Sequence, residues 1–218
     1  MIHKVKQGVL DTDHPIEVGD TVYMGRYPTA SAHSWASVEW RVLAKEKDQY
    51  LLITTHCIDW REYHMLSSTT WAHCDLRYDL QSMAEAMFTP KELEAIQLTC
   101  VQTSHRLIRT DEDQAEMEET PDQGGDSADQ LFLLSIYEAA KYFADDKDRK
   151  CAGTPYAVER GCYNNGEQNG ACWWLRNWGY EMTSAADVLP WGEICGTGDD
   201  VNEAGGVRPA MWVRFPTN

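Results

Sequence analysis

The sequence predicts an α+β fold, and three observations carry that prediction. Strand-like segments occupy residues 21 to 58, helix signals follow between residues 71 and 161, and strand-like segments return after residue 173. Strands and helices grouped in blocks rather than strictly alternating point to this class. A chain of 218 residues can bury roughly 70% of the surface its unfolded form exposes, so it needs neither metal nor disulfide to fold. It is read as one domain over residues 1–218.

The strands come first. Thr21 to Tyr27 follows the Val18-Gly19-Asp20 turn, and Ser37 to Lys45 places Val38, Trp40 and Val42 on one face. Gln49 to Ile58 carries apolar side chains on both faces, as in a covered central strand. Glu46-Lys47-Asp48 is short and polar, so the second and third strands form a hairpin.

The helices have separate signals. Leu76, Leu80, Met83 and Met87 make one stripe at helical spacing. Thr89-Pro90-Lys91-Glu92 and Ser135-Ile136-Tyr137-Glu138 are capping boxes. The second opens a helix to about Phe143 with Ile136, Ala139, Ala140 and Phe143 inward. Thr154-Pro155 opens another that ends at Gly161. Thr110 to Asp129 has many carboxylates and no basic residue, which reads as a solvated, mobile acidic loop. Beyond Gly161 glycines are frequent. Trp173 to Arg176 and Val207 to Phe215 read as strands, with long loops between them.

Composition narrows the partners. The net charge of −16 repels phosphate backbones and anionic membranes, so neither a nucleic acid nor a membrane is expected. No apolar run reaches the ~20 residues of a membrane span. The N-terminal segment lacks the apolar stretch of a secretory signal, which points to the cytoplasm. The seven cysteines, Cys57, Cys74, Cys100, Cys151, Cys162, Cys172 and Cys195, are odd in number and read as reduced thiols.

Several segments resemble known motifs. Gly19-Asp20 with Tyr23-Met24-Gly25-Arg26-Tyr27-Pro28 resembles a "GD…YFGSYPQ" opening, and Val38 to Leu43 resembles "IEWRVL". Trp71 with Leu76-Arg77 resembles a "W…S.LR.WLN" helix start, and Phe132 to Ser135 resembles "VFLLS". Trp173 to Arg176 with Gly179 resembles "WWLRSPG", and Gly206 to Trp212 resembles "GVRPALW". Together, over about residues 16 to 215, they resemble an uncharacterised bacterial domain family. The late motifs are also similar to the C-type-lectin-like fold, including its sulfatase-modifying-factor branch. That resemblance implies a twisted, mainly antiparallel sheet with flanking helices, long C-terminal loops, and first and last strands paired. The chain departs from the pattern at Asn177-Trp178, where Ser-Pro is usual.

Chemistry is sparse. Adjacent strand residues point to opposite faces, so His56 and Cys57 do not readily share a zinc ion with His64, His73 and Cys74. Asp199, Asp200, Asn202 and Glu203 offer oxygen donors that would suit calcium, without EF-hand spacing; no other cofactor and no metal ligand is assigned. No nucleophile sits in a recognisable elbow with its base, so no catalytic residue is assigned. The leading expectation is a non-catalytic module for a sugar, peptide or protein partner. Its ligand would be neutral or cationic and held by Arg176, Trp178, Trp191, Asp199, Asp200, Asn202 and Glu203. The alternative is an enzyme of the formylglycine-generating type, for which Cys172 and Cys195 are the nearest pair.

Overall fold

The computed structural model describes residues 15–30, 34–103, 126–163 and 170–215, and in addition the backbone of four strands outside those ranges. In chain order the first elements are β1 (His3–Lys6), β2 (Val9–Asp11), β3 (Thr21–Pro28), β4 (Trp35–Glu46), β5 (Gln49–Thr54) and β6 (Asp59–Glu62). The middle holds α1 (Asp75–Met87), α2 (Pro90–Ala95), β7 (Thr99–Val101), β8 (His105–Arg109), β9 (Ala115–Glu119) and β10 (Ser127–Asp129). Then come α3 (Ile136–Tyr142), α4 (Asp146–Arg149) and α5 (Pro155–Glu159). The chain closes with β11 (Trp173–Trp178), β12 (Ser184–Val188), β13 (Ile194–Asp200), β14 (Ala204–Val207) and β15 (Ala210–Arg214).

The local signals give the elements they promised. Glu46 pairs with Gln49 across a two-residue turn, in which Lys47 takes φ 54°. Both capping boxes form: the Glu92 and Glu138 amides donate to the Thr89 and Ser135 hydroxyls, and each glutamate accepts from its cap amide. The Leu76, Leu80, Met83 and Met87 stripe is buried, as are Ile136, Ala139 and Phe143. Ala140 faces water instead. Thr154 caps α5, and Gly161 beyond it takes φ 108°.

The assembly of these elements is not the expected one. The protein is mostly β, with 40% strand against 22% helix over several sheets. This overturns the α+β, C-type-lectin-like expectation of one twisted sheet with flanking helices. One sheet runs β15-β5-β4-β3-β1-β2, with every neighbouring pair antiparallel. A second runs β13-β12-β11-β14-β6 and contains a parallel pair, β11 with β14. The closing strand β15 lies beside β5, not beside the first strand. Trp173 and Leu175 are both buried, but in the second sheet.

Glycine caused the misreading. Much of the glycine-rich last third was taken for loops, yet Gly196, Gly198, Gly205 and Gly206 lie inside β13 and β14, and glycines within strands mark close backbone approach. A Cβ at Gly205 would stand 2.5 Å from the Trp174 indole, and one at Gly206 would stand 2.6 Å from Cys57 Sγ. Gly198 takes φ 66° in the irregular stretch of the β12–β13 ladder.

The acidic stretch also carries structure. β9 and β10 lie within it; residues 110–114 and 120–125 lie outside the described residues. Asp129 at its end is fully buried and accepts from Trp71 Nε1 (3.0 Å), Arg77 Nε (2.7 Å) and Ser127 Oγ (2.6 Å). The apolar core is one cluster joining Trp40 and Leu51–Ile53 to α1, to Leu131–Leu134 and to Trp173–Leu175. No helix among the described residues is long and apolar enough to cross a membrane.

Candidate functional site

Two antiparallel strands, a turn and a short helix enclose a cleft of about 240 Å³. β3 supplies Tyr23 and Tyr27, β4 supplies Ser37 and Glu39, the chain after β5 supplies Thr55 and His56, and the start of α5 supplies Thr154 and Tyr156. Gly25 shapes this wall. At φ 67° it bulges β3 between Tyr23 and Arg26, and such a bulge re-aims the side chains that flank it.

The aromatic rings are fixed from behind by one carboxylate. Asp59 is fully buried; it accepts from Tyr27 Oη (2.7 Å), Arg61 Nε (2.7 Å) and the Trp60 amide (2.8 Å), and forms an ion pair with Arg160 Nε (2.6 Å). Arg160 in turn lies 5.6 Å over the Tyr156 ring. Tyr27 meets Tyr156 edge-on at 5.7 Å and 85°, and Trp35 at 6.3 Å and 67°. Asp59 therefore holds Tyr27 directly and Tyr156 through Arg160.

Two phenols of the cleft are shifted in their ionisation. Burial and the Asp59 carboxylate push the Tyr27 phenol well above its ordinary range. Tyr23 is raised by its hydrogen bond to Glu39 Oε2 (2.7 Å), and then by burial. Both phenols stay protonated and donate to carboxylates. Among the described residues no lysine or arginine lines the cleft, and Glu39 is the one carboxylate there.

The residues singled out from the sequence fall in different places. Arg176 is buried, and its guanidinium donates to Gln102 O, Leu133 O and the Glu138 carboxylate. It also lines a second cleft of about 250 Å³, with Glu138, Tyr142 and Trp212. Trp178 is half-buried and pairs with Ala185, which on its other side pairs with Asp199. Asp200 pairs with Ser184 in the next position, and Asn202 and Glu203 are exposed in the following turn. Trp191 is 41% exposed, with its Nε1 on Glu193 Oε2 at 2.8 Å. It sits in the β12–β13 turn, the opposite end of that hairpin from Asp199. Trp178 and Asp199 thus lie on strands either side of Ala185, two strand spacings apart, with Asp200 next along β13, while Arg176 and Trp191 are not part of that group.

Beside Asp199 lies a carboxyl that the sequence did not flag. Asp187 on β12 is 2% exposed, and neither of its oxygens has a hydrogen-bond partner among the described residues. Burial, and then the Asp199 charge, push its pKa up to about 7; the Cys195 thiol acts the other way without a regular hydrogen bond. Burial, followed by these two carboxylates, pushes the Cys172 thiol up to about 12. Cys172 and Cys195 flank β12 from either side. Two strand spacings are about 10 Å, whereas disulfide partners need Cβ atoms about 4 Å apart. No group of three or more His, Cys, Asp or Glu among the described residues could hold a metal ion.

These features define a mostly-β domain with a preorganised aromatic cleft. The chain belongs to the family described as domain of unknown function DUF6273, whose model matches residues 47–215. The expectation of an uncharacterised domain family holds at that level. No curated protein matches the chain, and no solved structure does. The matched span includes His56 and Tyr156, while Tyr23, Tyr27 and Glu39 lie before it.

The cleft tyrosines were missed in the sequence because they come from two distant segments, β3 and α5. The one local signal, Tyr23 and Tyr27 around Gly25, had been read only as part of a fold motif.

Proposed function

We propose that this chain is a non-catalytic binding domain whose ligand occupies the tyrosine-lined cleft. The observation that carries the reading is the Asp59 hub, which fixes Tyr27 and Tyr156 before any ligand arrives. Rigid aromatic surface lowers the ordering cost of binding. Drug-sized ligands usually occupy 300–1,000 Å³, so a cleft of about 240 Å³ suits one sugar ring or one cationic side chain of a peptide. Glu39 and the net charge of −16 repel anions. The protonated phenols support binding in the cleft, and the raised pKa of Cys172 disfavours it as the nucleophile of the formylglycine-generating alternative, since the thiolate is the nucleophilic form of cysteine.

The test is ligand-observed NMR with neutral monosaccharides and with lysine- or arginine-containing dipeptides. One of these classes should bind the parent chain, lose binding in Tyr156→Ala and keep it in Trp191→Ala. Glu39→Gln should weaken a cationic ligand more than a neutral one. Undiminished binding by a folded Tyr156→Ala variant would remove the cleft from consideration.

A second reading places the ligand at Trp178, Asp199 and Asp200. What favours it is the unpartnered Asp187 carboxyl beside Asp199, a buried group open to a donor. In that case Trp178→Ala, and not Tyr156→Ala, abolishes binding.

A further inference from the structure

Behind the cleft wall the chain brings three buried thiols to one place. Cys57 lies between β5 and β6, and Cys151 lies in the segment leading into α5. Their sulfurs are 3.3 Å apart. The two segments are tied by backbone bonds from the Cys57 amide to Ala152 O (3.0 Å) and from the Thr154 amide to Cys57 O (2.9 Å). Cys162 is buried nearby, where a Cβ at Gly153 would meet its Sγ at 2.5 Å.

The surroundings favour a thiolate on Cys151. Arg208 is 2% exposed and forms no salt bridge among the described residues; its charge also acts on the Asp148 carboxylate, which Arg41 holds. The Arg208 guanidinium bonds to Thr54 O and Arg149 O at 3.0 Å each and lies over the Trp173 and Phe143 rings. Burial alone pushes the Cys151 thiol up. The hydrogen bond with Cys57 and the Arg208 charge outweigh that, so Cys151 ends below the ordinary thiol range. Cys57 moves the other way, raised first by its bond to Cys151 and then by burial. The two sulfurs share one contact in which either can donate, so a single proton between them serves both. A lowered pKa beside a cation is the setting of oxidisable cysteines.

We propose that Cys57 and Cys151 are a redox-active pair that a peroxide closes into a disulfide. The Cys151 thiolate attacks one oxygen of hydrogen peroxide; the O–O bond breaks, and the leaving hydroxide takes up a proton to become water. Cys151 is now a sulfenic acid. Cys57 then attacks that sulfur, the S–O bond breaks, and the second hydroxide leaves with the Cys57 proton as water. Two thiols lose two electrons in all, and one peroxide becomes two waters. Peroxide is small enough to reach Cys151, which is 5% exposed while Cys57 is fully buried.

Trypsin can read the outcome, because Arg160 separates Cys151 from Cys162. Peptide 48–61 carries Cys57, peptide 151–160 carries Cys151, and peptide 161–176 carries Cys162 and Cys172. The reduced full chain is treated with hydrogen peroxide, quenched with N-ethylmaleimide, digested without reductant and analysed by mass spectrometry. The expected product is 48–61 joined to 151–160, released by dithiothreitol and still formed in Cys162→Ser. The proposal fails if both peptides remain alkylated at doses that oxidise the exposed Cys100. It also fails if 151–160 joins 161–176, or if Cys151 is over-oxidised with no cross-link. The parent chain supplies this reading by itself, so the result does not depend on whether Cys57→Ser or Cys151→Ser folds.

Discussion

Tyr27 and Asp59 form the cleft's central contact: the phenol donates to Asp59 Oδ2 at 2.7 Å, on a carboxylate that two arginines and the Trp60 amide also address. A buried charge with three donors and a further ion pair is secure only while the set is complete.

Asp59→Ala should therefore cost about 3 kcal/mol, because breaking a buried ion pair strands its partners. The figure is at the low end of that class because Arg61 and Arg160 keep 29% and 43% of their side chains exposed. Tyr27→Phe removes one donor and should cost about 1 kcal/mol. Urea denaturation measures both. An Asp59→Ala loss below that of Tyr27→Phe would contradict the hub.

Asp187 gives the protein an unusual pH dependence. Its ordinary pKa of 3.8 is raised to about 7 in the fold. Between those values the folded state keeps a proton that the unfolded chain releases, so stability falls as pH rises through that window. The fall from this group is at most about 4 kcal/mol, at 1.36 kcal/mol per unit. Asp187→Asn should flatten the stability profile between about pH 4 and about pH 7, whatever constant offset the amide adds. Parallel profiles for the two proteins would show that Asp187 is ionised in the fold.

Two tryptophans separate surface from core. Trp191→Ala should change stability by no more than about 0.5 kcal/mol, since its ring is 41% exposed. Trp173→Ala should cost about 3–5 kcal/mol, since that ring is 1% exposed and packs against Phe143 and Arg208. Thermal unfolding of the two variants orders them.

Native-state alkylation tests the Cys172 environment. With its thiol pushed up to about 12, Cys172 should resist iodoacetamide near neutral pH while exposed Cys100 reacts. Labelling of Cys172 at a rate comparable to Cys100 would show that its thiol is not suppressed.

Local rules carried the sequence reading as far as contacts are local. The capping boxes at Thr89 and Ser135, the Leu76-to-Met87 stripe and the Lys47-Asp48 turn each depend on neighbours within a few residues, and each formed. Sheet membership depends on distant partners: nothing near Val207 says that it lies opposite Asp59, or that β15 lies beside β5. The cleft failed to announce itself for the same reason, because Tyr27 and Tyr156 meet only after folding. Trp178 and Asp199 were legible as candidates, but Asp187 fell in a stretch read as loop, and its burial in β12 and missing partners became visible only in three dimensions.

The contact between Gly205 and Trp174 also constrains how this sequence can drift. A Cβ at 205 would lie 2.5 Å from the indole, and that indole is held by its Nε1 bond to Arg61 O at 2.9 Å. Any larger residue at 205 collides unless position 174 has already become smaller, and a smaller residue at 174 first leaves a void. The order of changes is thus prescribed: the tryptophan must yield before the glycine can. Lineages that have lost the indole are where a side chain at 205 should be found.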